Sequence, residues 1–162
     1  MVVVRYAYAL ALAFWLGGLP VLGGLVAPTL FGSPRGHDPA AGAVLAGVLF
    51  GAILHRYLLL ACGAAVVLLV CLVLRRLIGP RPVAFGARAA LVTVMFILAA
   101  YTAGPLTSRL ARIQQEAGGA IAHLPPTDAR QLAFDRVHGL AGTLLSISLA
   151  GALVLLYWEV SE

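Results

Sequence analysis

Residues 40–74 form the longest apolar stretch of the chain and read AAGAVLAGVLFGAILHRYLLLACGAAVVLLVCLVL, interrupted only at His55 and Arg56. The stretch contains no proline and its glycines recur at helical spacing, which predicts one continuous helix. At 1.5 Å per residue this helix is about 52 Å long, whereas the hydrocarbon core of a bilayer is about 30 Å thick. We therefore expect residues 53–74 to cross a membrane and residues 40–52 to lie in the interface or against other protein.

The composition of the whole chain agrees with a membrane environment. Hydrophobic residues make up 62% of the 162 residues and charged residues 10%, against about 25% charged in soluble domains. Because lipid satisfies no backbone hydrogen bonds, the segments that cross it must be helices or closed barrels. The chain thus predicts a single all-α transmembrane domain, a four-helix bundle with one overlong second helix. The predicted spans are residues 6–31, 53–74, 89–106 and 139–158, with a helical connection over 107–136 and Thr127 as the N-cap of the last helix.

The pattern of basic residues indicates contact with the membrane surface rather than with nucleic acid. All eleven are arginines at the ends of apolar runs, where they anchor helices at lipid headgroups. Clusters of basic residues interleaved with aromatic residues, as in a nucleic-acid groove, do not occur, so the net charge of +5 indicates contact with membrane lipids. The short loop 75–88 is dense in arginine and predicts headgroup anchoring, with both termini in the cytoplasm.

Sequence signatures of enzymes are missing, and no catalytic residue is predicted. The chain has no Gly-rich phosphate loop, no GxSxG and no HExxH motif. All six acidic residues lie outside the predicted spans, whereas ion-coupled pumps place carboxylates at mid-membrane. We expect a protein that is not an enzyme, with small-molecule efflux or permeation as a further alternative.

Two histidines are the candidate cofactor ligands. His55 begins the second span and His138 the fourth, and alternating spans place both at the same membrane face. In one interpretation they ligate haem, chlorophyll or copper in an electron-transfer or photosynthetic assembly. In the other they hydrogen-bond backbone carbonyls or neighbouring polar side chains and hold no cofactor. We expect both rings to face the bundle interior or a protein interface, and no dedicated metal site is predicted.

Small residues at a spacing of four predict faces where helices approach closely. Gly47 and Gly51 lead up to His55, and Gly142 and Ser146 follow His138. A lone four-helix bundle needs fewer such faces, so the pattern favours an accessory or scaffold subunit that packs against other membrane subunits of a larger complex.

Most of the chain resembles a small family of four-span membrane proteins typified by transmembrane protein 205. The resemblance is carried by Trp15-Leu16-Gly17-Gly18, by Ala27-Pro28-Thr29-Leu30-Phe31, and by Phe134 followed after three residues by His138-Gly139-Leu140. The chain departs from the family pattern at Ala141, where the family tends to have Ser, and at Leu145, where a polar residue can occur. The resemblance implies a four-span fold, a bacterial member in the inner (cytoplasmic) membrane, and no settled activity.

Overall fold

Four long helices make up the fold of the computed structural model, which describes residues 2–32, 39–78, 83–118, 121 and 124–161. Each helix is long and apolar enough to cross a membrane, and no strand occurs within these ranges. The chain is therefore an integral membrane protein, and the predicted all-α four-helix architecture is confirmed. The α-helices are α1 (Val2–Val21), α2 (Ala27–Gly32), α3 (Pro39–Ile78), α4 (Phe85–Tyr101), α5 (Thr107–Glu116) and α6 (Ala129–Val160).

The second long helix is overlong, as the sequence predicts. Helix α3 contains 40 residues, about 60 Å at 1.5 Å per residue, or twice the hydrocarbon thickness. It continues without a break through His55 and Arg56, because neither residue disrupts helical backbone bonding.

Two π-helical segments join shorter α-helices into long ones. Leu22–Val26 links α1 to α2, and Thr102–Leu106 links α4 to α5. The second segment contains Pro105, and the first ends two residues before Pro28. Proline lacks an N–H and its ring clashes with the carbonyl four residues earlier, so the wider π turn accommodates it.

The connection predicted over residues 107–136 divides into two parts. Helix α5 ends at Glu116, and α6 begins at Ala129 with Asp128 as its N-cap, so the expected cap at Thr127 is wrong by one residue. The Asp128 side chain accepts a hydrogen bond from the Arg130 backbone N–H at 2.8 Å. The Arg130 side chain also donates to this carboxylate, which holds the pKa of Asp128 below its usual value.

The core lies where the four long helices meet. Helix α3 packs against α1 and α4, and α6 closes the bundle by packing against the same two helices. Fully buried side chains in this core include those of Tyr8, Leu12, Trp15, Leu68, Leu72, Val92, Met95 and Leu155. Many large apolar side chains on the outer faces remain exposed, as expected for helices in contact with lipid.

Gly18 allows α1 to approach α3 at Tyr57. A Cβ atom on Gly18 would lie 2.1 Å from Cε2 of the Tyr57 ring. The ring cannot move away easily, because its hydroxyl donates to the Trp15 carbonyl at 3.2 Å and it stacks on Phe14. The neighbouring Gly17 faces outward, and a Cβ there would meet nothing within 4 Å.

The two adjacent glycines give a matched test of this contact. We expect Gly18→Ala to lower the free energy of unfolding by about 1–3 kcal/mol, because the added methyl overpacks a rigid ring. Gly17→Ala should be neutral or raise it slightly, since alanine favours a helix over glycine. Unfolding of each purified variant in mixed micelles measures both effects. Equal effects of the two substitutions would contradict the proposed contact.

Candidate functional site

His55 joins α3 to the second π segment. Its Nδ1 lies 3.0 Å from the carbonyl oxygen of Ala103. In a regular α-helix that carbonyl would accept from the N–H of Thr107, but here Thr107 donates to Thr102 and Gly104. The π segment thus directs the Ala103 carbonyl toward the imidazole. Because a carbonyl only accepts, Nδ1 carries a proton and donates it to Ala103.

His138 has a different environment. It lies on the exposed side of α6 and stacks on Phe134 of the same helix, with ring centroids 5.7 Å apart and planes 9° apart. This ring therefore does not face the interior of the bundle that the described residues form, and the other half of the expectation, a protein interface, stays a prediction. The fourth helix turns its Val137 and Ala141 inward instead.

The geometry at His55 favours the hydrogen-bonding interpretation of that residue. A histidine whose Nδ1 donates to a carbonyl also presents Nε2 in the manner of a metal ligand. Over the described part of the chain, however, no three His, Cys, Asp or Glu side chains form a group that could hold a metal ion. The other two histidines, His37 and His123, lie outside the residues that the structure describes.

The two small-residue faces are placed differently. Gly47 and Gly51 are half-buried, and a Cβ on Gly47 would lie 3.8 Å from Nε2 of Gln114, so α5 partly covers this face. Gly142 and Ser146 are exposed on the outer side of α6, in line with His138. The α6 face is therefore the one that this chain leaves uncovered.

A cluster of charged side chains lies where the two ends of the chain meet. The Glu159 carboxylate of α6 accepts from Arg75 of α3 at 2.7 Å and from Arg88 of α4 at 3.2 Å, both through Oε2. Arg5 of α1 approaches its Oε1 at 3.8 Å. Arg88 also donates to the Trp158 carbonyl. One carboxylate thus connects all four long helices at the same end of the bundle.

Burial distinguishes the three arginines of this cluster. The side chains of Arg75 and Arg88 are 8% and 0% exposed, whereas that of Arg5 is 57% exposed. The sequence interpretation of the loop 75–88 as headgroup anchors is therefore wrong for Arg75 and Arg88. It fits Arg76, which is exposed and lies over the Phe85 ring.

Sequence reasoning missed this cluster although a signal was present. Alternating spans place Arg5, Arg75 and Arg88 at one membrane face, and Glu159 and Glu162 are the only acidic residues at that end. Arginines that turn into a bundle near a bilayer, as Arg75 and Arg88 do, need an anion, because an uncompensated charge is costly there. Glu159 was the nearest candidate to the last span.

Replacing His55 tests its bond to Ala103. We expect His55→Leu to lower the free energy of unfolding by about 1–3 kcal/mol, because a partly buried carbonyl loses its donor. His55→Asn places an amide N–H near the Nδ1 position and should recover most of the loss. His138→Leu on the isolated protein should change it by less than about 0.5 kcal/mol. Equal losses for Leu and Asn at position 55 would contradict a role as donor.

Neutralising Glu159 tests the charged cluster. We expect Glu159→Gln to lower the free energy of unfolding by about 3–5 kcal/mol, because the buried Arg75 and Arg88 each lose their ion pair with Glu159. The exposed Glu116 provides the matched control, and Glu116→Gln should have an effect below about 0.5 kcal/mol. Unfolding titrations of both variants measure the difference. A Glu159→Gln protein as stable as the parent would show that the cluster does not hold the helices together.

Comparison with known proteins places the chain in a family without assigning it an activity. No curated protein and no solved structure matches it. A family described as a domain of unknown function, DUF4149, matches residues 10–118, about two thirds of the chain. The matched segment includes His55, Arg75 and Arg88 and ends before α6. On the strength of that match, the chain belongs to the DUF4149 family.

Proposed function

We propose that this chain is a non-enzymatic accessory or scaffold subunit that packs against another transmembrane helix through the outer face of α6. His138, Gly142, Ser146 and Ala150 define this face, and all four are exposed. Their exposure is the observation that supports the proposal, because the chain's own bundle does not require these positions to be small.

The glycines of α6 illustrate the difference between its two sides. Gly151 lies against α4, where a Cβ would be 3.0 Å from Sδ of Met95. A Cβ on Gly142 would meet nothing within 4 Å. Glycine in a helix costs about 1 kcal/mol relative to alanine, so Gly142 weakens the helix without improving packing inside this chain. A close approach by a second helix gives that glycine a packing role.

The face suits an apolar helix with small residues of its own. Small-xxx-small faces bring two backbones close together in lipid, where dispersion contacts and interhelical hydrogen bonds drive association. Ser146 and His138 supply polar groups at two levels of the face. Contact with ordinary acyl chains uses neither the small side chains nor the polar groups.

The proposal extends to the membrane in which the protein lies and to its orientation there. We infer a bacterial inner-membrane member of the family typified by transmembrane protein 205, with both termini cytoplasmic. The contact of Arg5 with Glu159 supports placing the two termini at one face. The dense arginines of the loop 75–88 at that end support its cytoplasmic side.

Cysteine cross-linking in native membranes tests the α6 face. In a background with Cys62 and Cys71 replaced by Ala, we expect Ser146→Cys to give cross-linked products with a second copy or another membrane protein. Val66→Cys is the matched control, because Val66 is 51% exposed on the outer side of α3. Adding Gly142→Leu to the Ser146→Cys protein should abolish the products, since the bulky side chain separates the helices.

Two results would overturn the proposal. One is equal cross-linking from positions 146 and 66, which indicates random collisions in the membrane. The other is cross-linking at position 146 that Gly142→Leu leaves unchanged. The unfolding midpoint of the Gly142→Leu protein serves as a check that the fold is intact.

A further inference from the structure

An apolar groove runs between α1 and α6 toward the charged cluster. It has a volume of about 420 Å³ and is lined by side chains of α1 between Ala9 and Gly17 and by Leu156 of α6, with Glu159 at one end. A second hollow of about 470 Å³ adjoins it at Ala9 and Glu159 and includes Arg5. Because they share these two residues, the two hollows form one open groove along the outside of the bundle, apolar at one end and charged at the other.

The length of the groove matches one leaflet of a bilayer. Gly17 and Arg5 are twelve positions apart on α1, which corresponds to about 18 Å along the helix axis. Half of the hydrocarbon core is about 15 Å thick. With Arg5 at headgroup level, the apolar part of the groove therefore reaches approximately to the bilayer midplane.

The charge at the headgroup end favours an anion. Among the described residues, Arg5, Arg75 and Arg88 lie around the carboxylate of Glu159, and these four side chains together carry a net charge of +2. Oε2 of Glu159 is engaged by the two buried arginines, and the exposed Arg5 lies 3.8 Å from Oε1, beyond hydrogen-bond distance. The guanidinium of Arg5 is thus accessible at the end of the groove, and arginine is well suited to bind phosphate oxygens.

We propose that this groove binds an anionic phospholipid, with an acyl chain between α1 and α6 and the headgroup phosphate on Arg5. The groove supplies the apolar contact and the cluster supplies the charge complementarity. A zwitterionic lipid binds less tightly, because the cation of its headgroup is repelled by the positive charge of the cluster. A free phosphate ion also binds less tightly, because it makes no apolar contact with the groove.

The site is separate from the proposed partner face. The groove involves α6 at Leu156 and Glu159, whereas the partner face extends from His138 to Ala150 toward the other end of the helix. Either proposal can therefore fail while the other holds.

Native mass spectrometry of the full chain with defined lipids tests the proposal. Phosphatidylglycerol and phosphatidylcholine of identical acyl chains are supplied in equal amounts, and we expect a retained adduct of the anionic lipid. Arg5→Gln should reduce this preference about fivefold, the effect of one surface arginine on an anionic lipid. Arg109→Gln is the matched control, because Arg109 is exposed beyond the second π segment, and it should leave the preference unchanged.

A second variant tests the groove separately from the charge. Gly17→Leu fills the groove without touching the cluster, since a Cβ there meets nothing within 4 Å, and it should weaken binding of both lipids. Equal retention of the two lipids by the parent protein, or no effect of Gly17→Leu, would overturn the proposal. Displacement of the lipid by an equimolar amount of inorganic phosphate would also overturn it, because the site would then select the phosphate alone.

Discussion

Lipid offers no hydrogen-bond partners, so each polar group that this chain carries into a bilayer must be satisfied by the chain itself. The four long helices satisfy most of the backbone. Further demands arise at prolines, and the structure has a π segment that ends two residues before Pro28 and another that contains Pro105. At the second segment the altered bonding directs the Ala103 carbonyl to His55, so a local backbone adjustment in one helix becomes a contact with another. The same constraint explains why the buried Arg75 and Arg88 converge on Glu159.

The sequence was sufficient to predict the helices but not their rotation. Low charge and long apolar runs fix four membrane-crossing helices, and the run over residues 40–74 fixes the overlong second one, because both depend only on composition and length. Rotation depends on a difference between the faces of a helix. In α6 apolar residues occur on all sides, so Gly142, Ser146 and Ala150 are equally compatible from sequence with an inward or an outward position. They face outward.

The charged cluster escaped prediction for a related reason. Arginines at the ends of spans usually extend into the headgroups, and Arg76 does so. Whether a neighbouring arginine turns inward depends on a carboxylate contributed by another helix, here Glu159, 84 residues after Arg75. That pairing requires knowledge of which helices are adjacent. His55 shows the opposite case, since a bond from a histidine at the start of a span to a backbone carbonyl is one of the two interpretations that the sequence offers, although its acceptor, Ala103, is not predictable.

The two ends of α6 therefore have different physical roles. At its C-terminal end Glu159 ties α6 to the other three long helices, and substitutions there are expected to act on the whole fold. Between His138 and Ala150 the outer face contributes nothing to the core, so it can change without loss of stability. The proposed packing against a second helix depends on this separation, because a surface that binds a partner must be free to adapt to that partner. Since Glu159 ties α6 to the other three long helices, the cluster also sets the direction in which the outer face of α6 points, and with it the angle at which the proposed second helix would pack.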